Sequence, residues 1–64
     1  MDRNNKKKMK IEKIKTTLEL LEKLEQNFEE LYSLRLIDDF ELGYIENTFK
    51  QLKNMLRVKL ESLE

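Results

Sequence analysis

Leu36-Ile37-Asp38-Asp39-Phe40-Glu41-Leu42 is the stretch on which the architecture turns. Asp38 precedes Glu41 by three residues, the spacing of a reciprocal capping box with aspartate in place of the usual serine or threonine. Asp38 and Asp39 also place negative charge where the dipole of a helix beginning here favours it. Ile37, just before the cap, is positioned to staple onto Leu42 in the first turn. A helix therefore starts at about residue 39, and whatever precedes it must stop.

Upstream, Ile11, Ile14, Leu18, Leu21, Leu24, Phe28, Leu31 and Tyr32 recur at steps of three and four. At ~100° per residue they fill one stripe about 160° wide, which predicts a helix over about residues 7–35. Glu25 takes a heptad position in that stripe, so the reading requires Leu24 to reach the core from the flank. Downstream, Leu42, Ile45, Phe49, Leu52, Leu56, Lys59 and Leu63 form a heptad that predicts a second helix over about 39–63. Gly43 falls near its start, either tolerated at a helix end or admitting a second backbone. A turn over about 36–38 forces the helices antiparallel. The expected rungs pair Ile14 with Leu60, Leu18 with Leu56, Leu21 with Leu52, Leu24 with Phe49 and Phe28 with Ile45. The expected hairpin core is Ile14, Leu18, Leu21, Phe28, Ile45, Phe49, Leu52 and Leu56. A parallel coiled coil with unbroken helix through 36–39 is the competing architecture, and two aspartates in a cap pattern argue against it.

Composition agrees. The 64 residues contain no proline and one glycine, and 41% are charged, with 13 basic against 13 acidic groups. Leucine, glutamate and lysine dominate, all good helix formers. The class is all-α, one domain over residues 1–64, with a frayed basic arm at 1–6. Burying about 60% of the unfolded surface gains on the order of 100 kcal/mol, and ordering the chain costs about as much. A partner is expected, most simply a second copy, giving a dimeric four-helix bundle. Phe40, Tyr44, Met55 and Val58 form a second, weaker stripe on the second helix, beyond reach of the first helix. That stripe is the expected dimer or partner face, with a foreign protein's helix as its other possible occupant.

Several chemistries are disfavoured. The chain has no cysteine and no histidine, which removes disulfides, Cys/His zinc sites and nucleophilic catalysis built on either residue. Its serines and threonines have no evident activating base. Glu22, Glu25 and Glu29 share a helix face, but bundle metal sites usually add a Glu-x-x-His element. No catalytic residue, cofactor or metal is expected. No apolar run is long enough for a membrane span, and the basic start lacks the apolar core of a signal peptide, so a cytoplasmic protein is expected.

Charge is strongly segregated. Residues 1–15 carry seven basic and two acidic groups, residues 16–46 two basic and nine acidic, and residues 47–64 four basic and two acidic. In the hairpin both basic segments lie at the open end. Lys6, Lys7, Lys8 and Lys10, with Lys50, Lys53, Arg57 and Lys59, are candidate contacts to nucleic-acid phosphates. No aromatic residue sits among the lysines of the arm to stack a base.

The run Thr17-Leu18-Glu19-Leu20-Leu21-Glu22-Lys23-Leu24 resembles part of the first helix of the Rop family of RNA-binding hairpins, which pair as antiparallel four-helix dimers. The resemblance covers eight residues and implies a dimer that binds RNA. The general shape is also similar to small hairpin phosphatases of response regulators, whose Ser-Gln-Glu-Leu-Asp motif is missing here. The leading expectation is a non-catalytic regulator or adaptor that self-associates and binds another protein. The alternative is a Rop-like nucleic-acid binder using the lysine-rich arm.

Overall fold

The computed structural model describes the backbone from Asp2 to Glu64 and the side chains from residue 5 onward. Met1 and the side chains of residues 2–4, part of the expected frayed arm, lie outside the described residues. Two helices, α1 (Asp2–Ser33) and α2 (Asp39–Leu63), pack against each other as an antiparallel hairpin. The chain is all-α. Helix α1 begins earlier than the period alone suggests, because the lysine-rich start contains no residue that breaks a helix.

Helix α1 ends two residues before the expected position, through a device the sequence does not advertise. The Leu36 amide donates to the Leu31 carbonyl (2.9 Å) and the Arg35 amide to the Tyr32 carbonyl (3.0 Å). With Arg35 at φ 62°, this is a Schellman motif. Glycine usually fills that left-handed position, and here arginine does. Asp38 then caps α2 as anticipated. Its carboxylate accepts from the Glu41 amide (2.7 Å), and the Glu41 carboxylate accepts from the Asp38 amide (3.0 Å). Above the turn, the Tyr32 hydroxyl donates to the Asp39 carboxylate, linking the last turn of α1 to the first of α2.

The seam departs from the expected ladder in three places. Glu25 is half-buried while Leu24 is 47% exposed, so Glu25 takes the core-facing position. On α2, Lys53 is half-buried and Leu52, expected in the core, is 38% exposed. Lys59, on the heptad, is exposed, while Leu60 is half-buried as its expected rung with Ile14 requires. An undistorted helix drifts about 20° per heptad against a strict seven-residue repeat. By its second half, the inward positions of α2 have therefore moved one residue along. The register also shifts. The Phe28 ring meets Phe49, with centroids 5.7 Å apart and planes tilted by 55°, one turn beyond the Ile45 expected opposite it. Side chains lean toward the N-terminus of their own helix, so in an antiparallel pair the residues that touch lie further along both chains than a fold about the loop suggests.

The packing is thin. Phe49, at 6% exposure, is the single buried residue among the described ones. Ile14, Leu18, Leu21, Phe28, Ile45 and Leu56 are half-buried. The hairpin measures 51 × 16 × 10 Å, with a radius of gyration of 15.2 Å against about 11 Å for a compact chain of this length. Its accessible surface is 5692 Å², where a compact protein of its mass exposes about 4,400 Å².

Candidate interaction surfaces

The two sides of the hairpin differ in chemistry. Taking the seam as reference and ~100° per residue, Leu20 and Leu24 lie about 90–130° to one side on α1. Tyr44, Gln51 and Met55 lie about 110–150° around α2 in the same rotational sense. Antiparallel helices bring the same rotational side to the same face of the two-helix layer. These side chains, joined by Leu52, therefore form one apolar face. Tyr44 is 70% exposed and Met55 49%. Phe40, 85% exposed, and Val58 lie further round, at the margin of this face toward the back of α2. The opposite face carries Glu19, Glu22 and Glu29 from α1 and Glu46, Lys50 and Arg57 from α2, all exposed.

Gly43 also falls on the charged side. A methyl group built there meets nothing within 4 Å, so among the described residues no backbone outside α2 approaches it. Thr48, between Tyr44 and Met55, turns its hydroxyl back onto the Tyr44 carbonyl (2.9 Å) and adds little polarity to the apolar face.

The open end is built differently. Helix α1 has 32 residues and α2 has 25, so α1 overhangs by about 10 Å at 1.5 Å per residue. Asn5 through Lys10 are all exposed, and Ile11 is the first half-buried position. The overhang carries Lys6, Lys7, Lys8 and Lys10. Further down, Lys15 and Glu64 approach to 3.9 Å as an exposed ion pair of little energetic weight.

The remaining candidates are placed as follows. Lys53 is held by Glu25 at 2.7 Å, and Lys50 and Arg57 share their face with Glu19, Glu22 and Glu29, so the three do not continue the basic overhang. Glu25 is turned to Lys53, away from Glu22 and Glu29, and among the described residues no group of three acidic side chains converges to hold a metal. Among the described residues no helix is long and apolar enough to cross a membrane. The Tyr32 phenol is pushed above its ordinary value of 10.0, first by its hydrogen bond to the Asp39 carboxylate, then by that group's charge and by slight desolvation. Sequence reasoning missed Arg35 and the Tyr32–Asp39 link, because neither follows from hydrophobic period.

Comparison with protein-family models, with curated proteins and with solved structures returned no match. The likeness to Rop-type hairpins therefore rests on Thr17–Leu24 alone.

Proposed function

We propose that this chain is a small, non-catalytic interaction protein that self-associates through its apolar face and binds another protein through the surfaces left outside. The observation that carries the reading is that Leu20 and Leu24 of α1 and Tyr44, Leu52 and Met55 of α2, all exposed, fall on one face while the other is charged. The surplus surface, about 1,300 Å² above a compact chain of this mass, exceeds the roughly 800 Å² per partner that a standard interface covers. A four-helix bundle formed by two hairpins covers such a face with the packing that bundles commonly use. In that assembly the charged faces remain for a regulatory or adaptor role.

The test is Tyr44→Glu combined with Met55→Glu, which places two charges in the apolar face without touching the seam. A destabilised monomer is expected. A double variant that remains dimeric at the wild-type concentration would show that another face is used.

The second reading is nucleic-acid binding. It is favoured by one observation, the overhang that carries Lys6, Lys7, Lys8 and Lys10 clear of α2. Fluorescence anisotropy with a labelled RNA hairpin and a duplex DNA at low salt tests it. Salt-sensitive binding lost on changing the four lysines to glutamine supports it, and absence of binding at low salt removes it.

A further inference from the structure

We infer that the occupant of the apolar face is a second copy lying in the opposite sense, so that the lysine overhang of each α1 rests on the acidic loop end of its partner. This rests on the self-association proposed above and adds the orientation and a role for the overhang. The apolar face alone permits two copies to pair either way. Charge separates the two. The loop end gathers Glu29, Glu30, Asp38, Asp39, Glu41 and Glu46 around one basic residue, Arg35, while the overhang is purely basic from Lys6 to Lys8 and again at Lys10. Pairing in the same sense would set overhang against overhang and loop against loop, with like charges a few ångströms apart at both ends. Pairing in the opposite sense places each basic end on an acidic one. Lys6, Lys10 and Lys13 project from α1 on the same rotational side as Leu20 and Leu24, and Glu41 projects from α2 on the side of Met55. Lys6, Lys10, Lys13 and Glu41 thus border the face that closes, while Glu29 and Glu46 lie on the opposite face of the same end and act only through the net charge of the loop. The overhang, about 10 Å beyond the end of α2, then extends alongside the partner's turn.

The chain has no cysteine, so a single introduced one reports the geometry. Met9→Cys, exposed on the overhang, is spin-labelled and the label-to-label distance is measured by pulsed dipolar spectroscopy, with the solution mass determined on the same sample. Opposed copies set each Met9 beside about residue 30 of its partner, so the labels lie some twenty residues apart along the bundle, about 30–40 Å. A dimer with labels within about 25 Å overturns the orientation while leaving self-association standing. A monomeric mass with no dipolar signal overturns both. A second variant tests the overhang itself. Changing Lys6, Lys7, Lys8 and Lys10 to glutamine, which preserves helix propensity, is expected to weaken the dimer at least tenfold at low salt and to flatten its salt dependence. An unchanged dissociation constant at low salt would overturn the contact between overhang and loop.

Discussion

Lys53 reaches across the seam to Glu25, Nζ to Oε1 at 2.7 Å, with the two side chains 18% and 24% exposed. This pair occupies the middle of a seam that is otherwise apolar, one turn from the Phe28–Phe49 contact. Two long, partly desolvated charges meet there, and a slip of the hairpin by one turn would set Lys53 against the apolar seam at Leu21 or Phe28, with only the exposed Glu22 or Glu29 in reach. The pair contributes more to register than to net stability, since a buried ion pair roughly breaks even against apolar residues of similar size.

Removing one partner should therefore cost more than removing both. Lys53→Met alone is expected to destabilise the hairpin by about 1–2 kcal/mol, between the values for exposed and buried pairs. Glu25→Leu together with Lys53→Met should recover that loss or exceed wild type. Chemical denaturation at fixed protein concentration measures both, and a double variant no more stable than Lys53→Met would remove the coupling.

Arg35 pays for its left-handed backbone, since a residue with a Cβ is disfavoured there by about 1–2 kcal/mol. Arg35→Gly is expected to stabilise by about 1 kcal/mol, raising the melting temperature by about 4–8 °C for a domain of this size. Thermal melts followed by circular dichroism check this. Arg35→Ala serves as control for the lost charge and should bring no comparable gain.

The capping box makes a converse prediction. Asp38→Ala removes the acceptor for the Glu41 amide and should cost about 1 kcal/mol. Asp38→Ser, which restores an N-cap oxygen, should recover most of it. Equal losses in the two variants would mean that the side-chain bond is not what starts α2.

The Tyr32 hydroxyl titrates above its ordinary value because its proton is held by Asp39. Ionisation would set a phenolate against a carboxylate. A raised folded-state value means that this link is intact below pH 10 and is lost as pH rises through the folded value. Ultraviolet titration of a Tyr44→Phe variant isolates Tyr32, and adding Asp39→Asn should move its midpoint down. An unmoved midpoint would disconnect the two residues.

Gly43 separates the two faces. With open space around its built Cβ, Gly43→Ala should stabilise α2 by up to about 1 kcal/mol and leave self-association unchanged, because the position lies on the charged side. Dissociation on this substitution, read by sedimentation, would place the contact between copies on the face opposite to the one proposed.

Much of this architecture is written in hydrophobic period and cap chemistry. Asp38 and Glu41 fixed the start of α2, and three- and four-residue steps marked both seams. What escaped lay where geometry overrides pattern. Glu25 and Lys53 each look like breaks in a heptad, and each becomes acceptable because the other is opposite, a relation visible only once register is known. Leu52 and Lys59 followed a seven-residue repeat that an undistorted helix does not keep. Arg35 gave no signal, since the left-handed stop normally announces itself with glycine. The stripe through Tyr44 and Met55 was legible on α2, but Leu24 was expected opposite Phe49, and its place beside Leu20 on the exposed face follows only from the observed register.

The most direct test of the account is the mass of the unmodified protein in solution, by light scattering from micromolar to millimolar concentration. A dimer of twice the 7.8 kDa chain, dissociating only at the dilute end and more readily in high salt, is the expected result. A folded, fully helical monomer across the whole range would contradict it, leaving the apolar face of Leu20, Leu24, Tyr44 and Met55 uncovered by any second copy.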